Sequence, residues 1–271
     1  MRRRLAVGIE FEGTAYCGWQ VQSASSSVQG ALEGALSRVA DEPIGLVCAG
    51  RTDAGVHARA QVAHFDTTAV RSARAWLLGA NSYLPTDISV QWASAVPDHF
   101  HARYSALART YRYLVLNRAA RSALARGRAL LVHQPLEVAA MEQGARWLVG
   151  EHDFSAFRSS ECQAHSPVRD LRAVRVRRTD DWVSIDVTAN AFLHHMVRNI
   201  VGLLLAIGQG RAPPERAHIQ LESRRRCEGE ATAAAHGLYL WQVDYPSGFA
   251  LPEFGPAADS AIIGAAVGRG E

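Results

Sequence analysis

The run Gly50-Arg51-Thr52-Asp53-Ala54-Gly55-Val56-His57-Ala58 sets a guanidinium, a carboxylate and an imidazole in a glycine-containing loop. An arginine two residues from an aspartate favours its ionised form, and an ionised carboxylate beside a substrate serves as nucleophile or general base. The glycines permit a tight turn and a close approach of substrate to backbone. The competing reading of Asp53 is a turn cap. Tyr111 and Tyr113 alternate on one strand and so face the same way. Either ring could stack on a flat ligand or simply fill a core. Arg198 lies in an apolar run with no acid between Asp186 and Glu215. Such a guanidinium calls for an anion from elsewhere, Asp53 or a phosphate, or else it snorkels to solvent. His194 and His195 are adjacent, about 100° apart if helical, and do not form the i,i+4 pair of a metal site; packing or contact with a ligand suits them better.

These residues need elements to hold them. Leu5–Phe11 reads as a strand, Gly13–Gln20 as a loop, and Ser27 as the cap of a helix over Val28–Ala40. Strands follow over Ile44–Ala49 and Gln61–Thr67, a helix over Arg71–Gly79 and a strand over Ile88–Ala95. In the second half Ala108–Leu116 reads as a strand, Leu136–Leu148 as a helix and Gly150–Pro167 as a polar loop. Leu171–Arg178 and Trp182–Thr188 form a hairpin around Asp180-Asp181, Phe192–Gly208 a helix, and Leu238–Tyr245 a last strand. The tail from Pro246, rich in Gly, Ala and Pro, reads as peripheral. The fold class is α+β: two similar subdomains, 1–103 and 104–271, with antiparallel sheets flanked by helices and the active-site cleft between them.

Composition sets the outer limits. With 271 residues, 48% hydrophobic and 20% charged, the chain falls in the globular class. The longest apolar run, Ile200–Ile207, is far short of the roughly 20 residues that cross a bilayer. The Met1-Arg2-Arg3-Arg4 start runs into Glu10 and Glu12 and does not read as a secretory signal. Cys17, Cys48, Cys162 and Cys227 are widely spaced, which favours a reducing cytoplasm over a disulfide or zinc scaffold. All 29 basic residues are arginine, which excludes lysine Schiff-base chemistry and a Walker-type phosphate lysine. Residues 103–178 carry 14 arginines against six acids, whereas 1–102 and 179–271 sum to −1 and −4. That basic middle fits a polyanion-binding face or a solvated, salt-bridged surface.

Five ordered motifs together narrow the choice. Ala49–Ala58 resembles the signature of the TruA family of tRNA pseudouridine synthases. Tyr16-Cys17-Gly18-Trp19-Gln20, Phe100–Ala106 with Arg109-Thr110-Tyr111-Arg112-Tyr113, Asn190–Gly202 and Gly237-Leu238-Tyr239-Leu240 resemble further motifs of that family in the same order. The resemblance spans roughly residues 4–246, although Thr232–His236 lacks the proline usual before Gly237. It implies isomerisation of uridine to pseudouridine at positions 38 to 40 of the tRNA anticodon stem-loop, no metal or organic cofactor, no membrane, and a homodimer. It assigns Asp53 as the catalytic aspartate, Tyr111 as the ring against the target base, and Arg51 and Arg198 as the surrounding basic residues. The reaction breaks C1′–N1 and forms C1′–C5, so the base must leave its stack. An aromatic ring can then hold it, for roughly 1–3 kcal/mol. Three routes are chemically open to Asp53: attack at C1′, attack at C6, or proton abstraction to a glycal. Two rivals are a non-catalytic tRNA-binding or tRNA-folding protein, which would not need Asp53, and a small-nucleoside hydrolase, which would not need a basic surface.

Overall fold

Ser27 takes an extended backbone, and its hydroxyl accepts the Gly30 N–H at 3.2 Å, closing the first turn of helix α1 (Val28–Ala40). Val28, Leu32, Ala35, Leu36 and Ala40 are buried along one face, as helical spacing requires. The computed structural model describes residues 2–23, 25–225 and 231–255. They form two compact units, one of residues up to Leu107 with those from Tyr239 to 255, the other of Ala108–Leu238.

In the first unit, β1 (Arg3–Phe11) lies between β3 (His57–Thr67) and β4 (Ile88–Val96), antiparallel to both. The two-residue strand β2 (Val47–Cys48) pairs with β3, shorter than the predicted Ile44–Ala49. Helices α1 and α2 (Ala73–Tyr83) pack on each other, and α2 packs on β4. In the second unit, β5 (Ala108–Asn117) carries the short parallel strand β6 (Leu130–Val132). It then pairs antiparallel with β9 (Trp182–Ala189), followed by β8 (Val168–Thr179) and β7 (Gly150–Asp153). Helices α3 (Val138–Arg146), α4 (Met196–Gly208) and α5 (Arg216–Ser223) cover this sheet's core, with α3 on β8 and on α4. Mostly antiparallel sheets flanked by helices are thus the architecture of both units, as predicted.

Four expectations need correction. The polar stretch 150–167 contains β7 and a 3-10 turn over Ser155–Phe157, where Phe154, Ala156 and Phe157 are fully buried. The apolar run from Phe192 does not begin as a helix; His195 takes a left-handed backbone (φ 62°) and α4 starts at Met196. His194 and His195 therefore lie in the turn that enters α4. The chain also returns to the first unit at its end, where β10 (Leu238–Asp244) pairs parallel with β3 through Tyr239 and Leu240. A reading that keeps all of 104–271 in one subdomain does not fit this return. Finally, the segment after Pro246 is not peripheral as far as residue 255. Phe249 packs edge-on against Phe100 at 5.0 Å, and Phe254 against Trp92 at 5.6 Å, over the first unit's sheet. The rest of that tail, and Cys227, lie outside the described residues.

Candidate active site

The Asp53 loop is fixed by its neighbours' backbone. Helix α1 receives Gly18 and Trp19 at its start: Val28 N–H donates to the Gly18 carbonyl at 3.3 Å and Gln29 N–H to that of Trp19 at 3.0 Å. Trp19 N–H in turn donates to the Thr52 carbonyl at 3.0 Å, and Gly55 N–H to the Tyr16 carbonyl at 3.3 Å. Gly18 has φ +90°, and a Cβ there would lie 2.6 Å from the Thr52 oxygen and 3.1 Å from the Asp53 carbonyl carbon. Only a residue without a side chain lets these two segments meet so closely. From beneath, the fully buried Gln61 donates its side-chain amide to the Gly50 carbonyl at 2.7 Å, and Ala49 N–H donates to Val62 at 2.8 Å. Val56 N–H closes the turn on the Asp53 carbonyl at 3.1 Å. Asp53 is half-buried and Arg51 exposed. The aspartate's backbone carbonyl is thus used in the turn.

Three side chains of the first unit that border this loop, His57, Cys48 and Tyr16, are tied up by burial or hydrogen bonding. Gly13 N–H donates to His57 Nδ1 at 2.9 Å, so that nitrogen carries no proton. Its 3.2 Å approach to Glu12 is therefore not an ion pair. His57 is 1% exposed and stacks on Tyr239 at 4.6 Å. Burial pushes the Cys48 thiol up to about 12, which removes it as a nucleophile. Burial and a 2.6 Å hydrogen bond to Asp87 push the Tyr16 phenol up as well.

In the second unit the Arg109–Tyr113 run lies on β5 and is clamped across strands. Arg112 makes a two-point pair with Asp186 at 2.6 and 2.9 Å. Arg109 donates to the Asn190 carbonyl at 2.8 Å, and Thr110 meets Thr188 at 2.8 Å. The two tyrosines now separate. Tyr113 is fully buried, donates its hydroxyl to the Ala234 carbonyl at 2.8 Å, and is pushed up by burial. Tyr111 keeps 8% exposure and meets Phe192 edge-on at 5.0 Å. Arg198 is the one residue of α4 that is not buried. Its Nε donates to the Ala233 carbonyl at 2.7 Å, and Ala233 N–H returns a bond to the Arg198 carbonyl at 3.1 Å. The structure thus sets Arg51 and Asp53 on one loop of the first unit, and Tyr111 and Arg198 on β5 and α4 of the second.

Of the basic strand Arg172–Arg178, Arg172 pairs with Asp170 at 3.1 Å, and Arg178 donates to Asn117 Oδ1 at 2.8 Å and the Leu136 carbonyl at 2.9 Å. Sequence reasoning missed Gln61 as a support of the Asp53 loop. It gave no physical role to Gly18 and Trp19 either, because their contacts cross more than 30 residues of chain.

The pattern shared by a known enzyme family, described as tRNA pseudouridine synthase, fits residues 8–105 and 145–246. The chain belongs to the tRNA pseudouridine synthase family. It is 52% identical over 249 residues to the tRNA pseudouridine synthase A of Nitrosococcus oceani, covering 92% of this chain and 96% of that one. It is 53% identical to the one from Coxiella burnetii, covering 92% and 95%. The Methylococcus capsulatus relative is 52% identical over 259 residues, covering 96% and 94%. Membership makes the chain an isomerase whose substrate is tRNA. Asp53, Arg51 and Arg198 fall within the stretches matched by the family pattern, and Tyr111 falls between them. Among the described residues no helix is long and apolar enough to cross a membrane.

Proposed function

We propose that this pseudouridine synthase acts on uridines at positions 38 to 40 of the anticodon stem-loop, with Asp53 as its catalytic aspartate. One observation carries the reading: the loop bearing Asp53 is clamped by the Gly18–Trp19 backbone from one side and by Gln61 from another. A carboxylate whose position matters to within about 1 Å needs such a support. The target base leaves its stack and lies against Tyr111. Asp53 acts at the C1′–N1 bond or on the uracil ring; C1′–N1 breaks, C1′–C5 forms, C5 gives up its proton and N1 takes one up. No electrons are gained or lost overall, so the reaction calls for no redox cofactor. Arg51 and Arg198 hold the anionic surroundings, one toward solvent and one from the single unburied position of α4. The protein works as a homodimer in the cytoplasm.

The test uses tRNA transcripts carrying uridine at only one of positions 38, 39 and 40, and maps pseudouridine by carbodiimide-blocked primer extension. Blocks at these three positions are expected. Modification at some other position would overturn the site assignment, and light scattering at the monomer mass would overturn the dimer.

A further inference from the structure

We infer that the loop joining β5 to β6 is a second tRNA-contacting surface, which grips phosphate backbone away from the target base. It rests on tRNA being the substrate, as family membership gives. Residues 99–136 contain no acid and seven arginines. Arg118, Arg121, Arg126 and Arg128 fall in the loop itself, the last three of them exposed. Arg118 pairs with Asp181 at 3.4 Å. Leu124 at the loop's tip is 90% exposed.

The loop has a built shape. Arg118 Nε donates to the Ala120 carbonyl at 2.8 Å, Ala125 N–H to the Ser122 hydroxyl at 3.1 Å, and Arg128 N–H to the Ala125 carbonyl at 3.0 Å. It arches over a cavity of about 260 Å³ between Leu116 and Leu131, with Arg121 and Arg126 at the lining. Its cations are therefore presented by a folded arch, which reduces the ordering cost of binding.

Chemistry selects the occupant. No Phe, Tyr or Trp occurs between Tyr113 and Trp147, so the loop has no ring on which an unpaired base could stack. Guanidinium groups without acids or aromatics suit phosphate oxygens, which position a nucleic acid without reading its sequence. Asn117, at the end of β5, is six residues from Tyr111, a distance of about 20 Å along an extended strand. The contact therefore falls on a part of the tRNA other than the base held at Tyr111.

The test measures filter-binding Kd for full-length tRNA against salt, for wild type and for Arg121→Gln/Arg126→Gln. Each phosphate contact contributes a slope of about 0.9 in log K against log salt, so between about 50 and 200 mM salt the variant should lose about tenfold less affinity than wild type does. Turnover at saturating tRNA should not change. An unchanged salt slope would overturn the inference, and a changed mass by light scattering with that same slope would reassign the loop to a protein partner. Failure of the proposed position specificity would show separately, in wild-type product mapping.

Discussion

The loop of Asp53 and the region of Tyr111 and Arg198 are held by different kinds of bond. The loop of Asp53 is held by main chain, the carbonyls of Tyr16, Gly50 and Thr52 and the N–H of Trp19 and Gly55, with the Gln61 side chain beneath. Tyr111 and Arg198 are placed by side-chain packing, edge-on against Phe192 and on the Ala233 carbonyl. A main-chain clamp sets one position and fails abruptly, because nothing in it can rotate away. A packed ring or a long guanidinium can adapt, so damage there should be graded.

The comparison breaks most sharply at Gly18. Gly18→Ala puts a Cβ 2.6 Å from the Thr52 oxygen at a left-handed backbone. We expect kcat to fall about 100-fold, as for a 1 Å misplacement, with a stability loss of about 1–3 kcal/mol by overpacking. Gly210→Ala serves as the control, since its φ is also positive (+70°) but its surroundings are open. Equal kcat loss in both would refute the clamp.

The support role of Gly18 was the least legible part of the site. The motif around it could be seen, but its reason is a backbone contact to residues more than 30 positions away. Where signals are local the sequence was readable: Ser27 and an apolar stripe give α1 its observed bounds, and Asp180, at φ 52°, turns the β8–β9 hairpin. The start of α4 was misread because hydrophobicity continues through Phe192 and Leu193 while His195 turns left-handed. The tail was misread from its Gly, Ala and Pro content, although Phe249, Leu251 and Phe254 were the signal that part of it packs. Strand β6 has three residues, too few for any period to show, and α5 has its prolines, Pro213 and Pro214, ahead of its N-cap Glu215 rather than at the first helical position where proline marks a start.

The next largest effect belongs to Tyr111. Tyr111→Phe keeps both the edge contact to Phe192 and the ring, and should leave kcat/KM nearly intact. Tyr111→Ala should lower it roughly 5- to 100-fold, the worth of stacking on one base. Equal loss in both variants would assign the role to the hydroxyl instead. Arg198→Gln should cost about tenfold in kcat/KM, in line with a charged hydrogen bond, and lower the thermal midpoint. The exposed Arg51→Gln should change KM with no shift in midpoint. Matching midpoints for the two variants would contradict the structural half of Arg198's role.

The smallest expected effect on activity comes from His64, in the first unit. Burial, with Arg4 and His101 nearby, lowers its pKa from 6.5 to about 4, and its Nδ1 accepts the Ala102 N–H at 3.1 Å. Asp66 opposes that shift. A depressed histidine binds fewer protons folded than unfolded, so stability is full above the unfolded pKa and falls as pH drops from 6.5 toward 4. The thermal midpoint should fall through that window, and His64→Gln should flatten the fall. An equally steep fall in the variant would remove His64 as its source.

The most direct test of Asp53 is tritium release to water from unmodified tRNA carrying 5-tritiated uridine, wild type against Asp53→Asn. Formation of C1′–C5 must expel the C5 hydrogen, so release reports the bond change itself. Release by wild type, and a loss of about 10⁴-fold or more in the variant with tRNA binding retained, is the predicted result. Equal release by both proteins would contradict it and move the chemistry to another residue.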